Sequence, residues 1–100
     1  MLKVISTREF VAWLRRLRDH KAKAKVLARI ERLALGNAGD VKPIGGGLSE
    51  LRIDHGPGYR IYFARRGNSV IVLIAGGDKS SQSRDIARAH IIYAKCRDEI

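Results

Sequence analysis

The chain has 100 residues, room for one hydrophobic core and too few for a second domain of ordinary size. Its 45% hydrophobic and 30% charged residues describe a packed globular protein, and twenty Lys and Arg against ten Asp and Glu leave a formal net charge of +10. One cysteine, Cys96, and three scattered histidines exclude a disulfide scaffold and supply no zinc set, while the longest apolar run, Val70 to Ala75, falls far short of the roughly 20 residues of a membrane helix.

The start of the chain has no apolar signal core or small-residue cleavage site, so a cytoplasmic location is expected. Leu2, Val4 and Ile5 read as a short strand. Ser6 and Glu9 stand at capping-box spacing, which predicts a helix from about Thr7 with Phe10, Trp13, Leu14 and Leu17 as its apolar stripe. The pattern breaks at Asp19-His20 and resumes with Val26, Leu27, Ile30, Leu33 and Ala34, ending at Gly36-Asn37, so the two helices form a hairpin. Residues 36 to 47, with Pro43 and three consecutive glycines, read as a loop. Strands are predicted at Leu48 to Asp54, Tyr59 to Arg66 and Ser69 to Ala75, joined by short turns into an antiparallel meander. The third is apolar at both parities, as a strand covered on two sides should be. Gly76-Gly77 ends it, and a last helix opens at Ser80 or Ser81 with Ile86, Ala89, Ile92 and Tyr93 on one stripe. The expected architecture is α+β: a short N-terminal strand, a helical hairpin, a three-stranded meander and a C-terminal helix in one domain.

Charge is concentrated early, with ten basic and three acidic residues in the first 35 positions, and a strong positive field favours an anionic partner such as nucleic acid. On the second helix Lys21, Lys25, Arg29 and Arg32 fall on one stripe, either a phosphate footprint or simply the wet side of an amphipathic helix.

Strand parity carries the chemistry. Leu51 and Ile53 share one face with Tyr59, Ile61 and Phe63, leaving Arg52, Asp54, Arg60 and Tyr62 on a non-core face. A three-residue Gly56-Pro57-Gly58 turn would set Arg52 opposite Tyr62 and Asp54 opposite Arg60. Guanidinium forks grip phosphate and a phenol stacks on a base, which suits RNA; an ordinary exposed sheet face is the alternative. Lys79 follows Gly76-Gly77-Asp78 at a strand-to-helix junction that is either an anion site at the helix start or simply glycines ending a strand with Asp and Ser capping a helix, and no Walker A motif exists there. His55, beside the turn, is either a proton-transfer group or an ordinary polar surface residue, and Cys96 reads as packing.

The runs Leu48-Ser49-Glu50-Leu51-Arg52, Gly58-Tyr59-Arg60-Ile61-Tyr62-Phe63 and Leu73-Ile74-Ala75-Gly76-Gly77-Asp78-Lys79-Ser80 resemble the addiction-module killer proteins, a HigB-like branch of the RelE/ParE toxin superfamily. The resemblance implies the toxin of a type II module, neutralised by a helix-turn-helix antitoxin, that enters the ribosome and cuts mRNA by attack of a ribose 2′-hydroxyl, with no metal or other cofactor. Arg60 then resembles the family's phosphate-stabilising arginine, with Arg52 and Lys79 as further cations. RelE-like enzymes carry a tyrosine near the start of the last helix, where this chain has Asp85 and Ile86. Asp78, Asp85, His55 and Tyr62 are left as proton-transfer candidates. A ParE-like gyrase inhibitor and a non-catalytic nucleic-acid binder are the alternative functions.

Overall fold

The structure is a computed structural model that describes residues 1–99. Five strands, β1 (Lys3–Ser6), β2 (Val41–Gly45), β3 (Leu48–Ile53), β4 (Tyr59–Arg66) and β5 (Val70–Asp78), form one sheet in the order β1-β5-β4-β3-β2. The helices are α1 (Arg8–Arg16), α2 (His20–Ala34) and α3 (Gln82–Cys96), with a 3₁₀ turn at Lys79–Ser81 leading into the last. β1 pairs parallel with β5, and the remaining pairs are antiparallel. The expected α+β class holds, and the arrangement is compatible with a RelE-like fold.

Two apolar layers explain the order. Phe10, Val26 and Leu33 from the hairpin pack on Leu51, Ile53, Ile61, Phe63, Ile71 and Leu73 on one face of the sheet. Ala89 and Ile92 from α3 cover Leu48, Tyr62, Ala64, Val72 and Ile74 on the other. β5 is therefore buried on both sides, as its double apolar parity required.

The N-terminal cap differs from the expectation. Ser6 ends β1, and Thr7 caps α1 by accepting from the Phe10 amide at 3.1 Å. The Thr7 hydroxyl also donates to the Ile74 carbonyl at 2.6 Å. Ile74 is the extra residue of a bulge, since Tyr62 pairs with Ala75 and Phe63 with Leu73. One hydroxyl thus ties the first helix to an irregularity of the central strand. Thr7→Ala should lower stability by about 1–2 kcal/mol, read by urea denaturation at unchanged slope.

Three other boundaries shift. The loop expected at 36–47 contains β2, an edge strand that tolerates Pro43 because an edge needs fewer ladder bonds. β5 runs through Gly76-Gly77 to Asp78 instead of ending before them. The β3–β4 connection is the five-residue loop 54–58, so Arg52 lies opposite Arg60 and Glu50 opposite Tyr62, a slip of two residues from the expected register. Gly56 and Gly58 take positive φ there, +54° and +81°, and the Gly58 amide bonds the His55 carbonyl. An even slip preserves the faces while correcting the partners: Asp54 leaves the ladder and does not pair with Arg60.

Candidate functional site

Arg52, Arg60 and Lys79 line one open cleft of about 450 Å³, together with Asp40, Ile53, Asp54 and the Gly56-Pro57-Gly58 turn. β3 and β4 supply the two arginines at directly opposed positions, and the 3₁₀ turn after β5 supplies the lysine. Like charges facing each other across a ladder repel. Each arginine accordingly has an acidic neighbour. Arg52 Nη2 lies 2.9 Å from Asp40 Oδ1 at the rim, and Arg60 Nε lies 3.7 Å from Oε1 of Glu50 beneath the cleft. The rim pair is half open to solvent and contributes about 0–1 kcal/mol. Glu50 is of another kind, being 1% exposed, and its Oε2 accepts from Gln82 Nε2 at 2.7 Å.

Arg29 departs from the solvent-facing role expected of it. Its guanidinium donates to the carbonyls of Arg52 at 2.8 Å and Ala38 at 3.1 Å, stitching α2 to the end of β3 and to the segment before β2. Partial burial, then repulsion from Arg32, pulls its pKa below the ordinary guanidinium value; it remains a cation. Gly39 allows this approach, since a Cβ there would sit 2.8 Å from Arg29 Nη2. Lys25 and Arg32 stay exposed and line a second hollow of about 290 Å³, which shares Ile53 and Asp54 with the cleft. Lys21 is exposed but lines neither hollow.

The four proton-transfer candidates are all placed away from the cleft. Tyr62 is fully buried under α3, because the face expected to be free is the second core layer. Desolvation, then the Glu50 carboxylate, pushes its pKa well above that of an ordinary phenol. It therefore stays protonated at physiological pH, has no surface on which to stack a base, and its hydroxyl makes no hydrogen bond. Asp85 is 8% exposed and accepts from Ser81 Oγ at 2.5 Å. Asp78 is engaged as a cap, accepting from the Ser80 amide at 2.9 Å. His55 turns from the cleft to Asp19, Nε2 to Oδ2 3.1 Å, and stacks on Tyr59. Asp54, which lines the cleft and makes no ion pair or side-chain hydrogen bond among the described residues, is the carboxylate left facing it.

The Asp19–His55 contact fastens the β3–β4 loop to the start of α2. The Ala22 amide first, then His55, holds the Asp19 carboxyl below the usual carboxylate range. A lowered carboxylate pKa stabilises the fold above the unfolded value near 4, and that contribution is lost as pH falls through the folded pKa. Asp19→Asn, which keeps a capping oxygen, should flatten this acid limb of a stability profile as pH falls below about 4.

A larger hollow, about 540 Å³, lies between the start of α1 and the end of α3. It balances Arg8 and Lys95 against Glu9 and Glu99, so it has no converging charge and is the weaker candidate. Among the described residues no cluster of three His, Cys, Asp or Glu side chains is arranged to hold a metal, and no helix is long and apolar enough to cross a membrane.

The molecule is a small basic protein of three-layer α+β fold, with Arg52, Arg60 and Lys79 around one cleft at an end of its sheet. Residues 12–97 match the family described as "Phage derived protein Gp49-like (DUF891)", and the chain belongs to that family, which is associated with toxin–antitoxin modules. It is also 44% identical over 91 residues to a protein of Haemophilus influenzae described as uncharacterized, an alignment covering 91% of this chain and 92% of that one.

Proposed function

We propose that the chain is the toxin of a type II toxin–antitoxin module, a HigB-like member of the RelE/ParE superfamily that cuts mRNA on the translating ribosome. The observation that carries this reading is the shared cleft of Arg52, Arg60 and Lys79. A phosphodiester there would be attacked by the neighbouring ribose 2′-oxygen: the 2′-O–P bond forms, the P–O5′ bond breaks, and one proton leaves the 2′-hydroxyl while another reaches the departing 5′-oxygen. The three fixed cations stabilise the extra negative charge that develops on phosphorus-bound oxygens in the transition state. Asp54 is the cleft carboxylate available to accept the 2′ proton. The second hollow extends the positive surface toward Lys25 and Arg32, a path for adjoining phosphates. A helix-turn-helix antitoxin that covers the cleft would neutralise it.

The test is translation in a purified system with the wild type and Arg60→Ala side by side. The reading expects mRNA cut within the ribosomal A site by the wild type and left intact by the variant. Uncut mRNA with both proteins, together with arrested gyrase supercoiling, would instead assign the ParE-like activity. Salt-sensitive RNA binding without cleavage would assign a plain nucleic-acid binder.

A further inference from the structure

Glu50 is buried on the face of the sheet that α3 covers, where an uncompensated carboxylate is costly. Its two oxygens face different elements. Oε2 accepts from Gln82, the first residue of α3, and Oε1 faces Arg60 Nε on β4 across 3.7 Å. Oε1 and Arg60 Nε are both buried without a hydrogen-bond partner of normal length, so the Arg60 charge, with the buried Tyr62 hydroxyl on the opposite strand, is what compensates the carboxylate. With Nε turned inward, the terminal nitrogens of Arg60 are left toward the cleft, where Nη1 lies 3.8 Å from the place a Cβ on Gly58 would occupy. Gln82 directly follows the 3₁₀ turn that carries Lys79.

We infer that Glu50 is a positioning residue, a buried carboxylate that aims the Arg60 guanidinium into the cleft and, through Gln82, fixes the junction bearing Lys79 relative to it. This rests on the nuclease reading for its effect on rate, but its structural part stands without it. Glu50 reaches no cleft surface and so acts only through its two partners. Removing its charge has opposite effects on binding and turnover: a negative charge beneath the cleft disappears, so an anion binds no less tightly, while Arg60 loses its aim and the transition state loses stabilisation.

The experiment uses the full chain and its Glu50→Gln variant, which keeps the side-chain shape. Two quantities are measured: the water-exchange rate of the Arg60 Nε–H by NMR, and kcat and KM for cleavage of mRNA on ribosomes. In the wild type the Arg60 Nε–H should exchange at least about tenfold more slowly than those of the exposed Arg84 and Arg88. In Glu50→Gln that protection should be lost, with kcat lowered on the order of tenfold or more and KM unchanged or reduced. Retained protection, an unchanged kcat, or a raised KM from general loosening would overturn the inference. If that variant does not fold, Glu50→Asp, which keeps the charge but draws it back from Arg60, is read in its place: the same loss of protection and of kcat is expected, and either one retained overturns the inference. A wild type that cuts no RNA defeats the nuclease reading, and the exchange comparison then judges the anchor by itself.

Discussion

Arg60→Ala is expected to lower ribosome-dependent mRNA cleavage by about 10²–10³-fold, mostly in kcat, because a fixed cation aimed at developing charge is worth most in the transition state. The same substitution strands Glu50, 1% exposed, without its counter-ion. Breaking a buried pair from one side costs roughly 3–5 kcal/mol, so a drop in stability will accompany the drop in activity. The two effects separate in the double variant Glu50→Gln/Arg60→Ala, which removes both charges and should recover most of the stability while remaining inactive. Lys79→Ala gives a cleaner comparison. Lys79 is exposed and makes no ion pair among the described residues, so it should lose cleavage with stability within about 0.5 kcal/mol of the parent. Activity that survives in both single variants would mean that the cleft does not act on phosphate.

Gly76→Ala and Gly77→Ala are expected to be the most damaging small substitutions for the fold. Neither glycine is needed for a positive φ, since both lie in the extended strand β5. Space is the reason. A Cβ on Gly76 would lie 2.3 Å from the Trp13 ring of α1, and one on Gly77 would lie 1.9 Å from Asp85 Oδ2 of α3. Two consecutive strand positions face opposite sides, so this dipeptide lets a helix approach the sheet closely from each layer. Relieving either clash requires moving a packed ring or a hydrogen-bonded carboxylate, a cost of about 1–3 kcal/mol or more. At about 4–8 °C per kcal/mol for a chain of this size, thermal unfolding should fall by at least about 4 °C in each variant. Melting within a degree of the parent would show that the two helices are not seated as described.

The fold was legible where periodicity was strong. The Phe10, Trp13, Leu14 and Leu17 stripe, Val26, Ile30, Leu33 and Ala34 of α2 and the double parity of β5 each led to an element that exists and packs against the core, whereas Leu27, expected on the same apolar side of α2, is exposed. β2 was obscured because Pro43 and the following glycines look like a loop, whereas an edge strand accommodates them. The register of β3 and β4 depended on loop length, and one glycine-rich sequence is consistent with three or five connecting residues. Parity survived because the error was even, so Arg52 and Arg60 were correctly assigned to one face.

Exposure of that face was the larger misreading. Ile86, Ala89 and Ile92 required an apolar surface, and the hairpin had already taken the first one. The Tyr62 side was therefore the one available to α3. Glu50 was visible at the same parity as Arg52, yet its burial follows only once α3 lies over it. Arg29 was hidden for a related reason: its partners are backbone carbonyls of Arg52 and Ala38, and no side-chain pattern announces those. Placement of Arg52, Arg60 and Lys79 around one cleft combines strand parity with the extension of β5 through Gly77, which carries Lys79 to the end of the sheet where the β3–β4 loop turns.

The central claim is that these three cations hold a single phosphodiester. The most direct measurement is NMR of Arg and Lys side-chain resonances during titration with a short 2′-O-methyl RNA, which binds as a substrate would but has no free hydroxyl for attack. The account predicts that Arg52, Arg60 and Lys79 shift together along one binding curve, with Lys25 and Arg32 following when the oligonucleotide is lengthened. Shifts confined to Arg8 and Lys95, or spread evenly over all exposed cations, would contradict it.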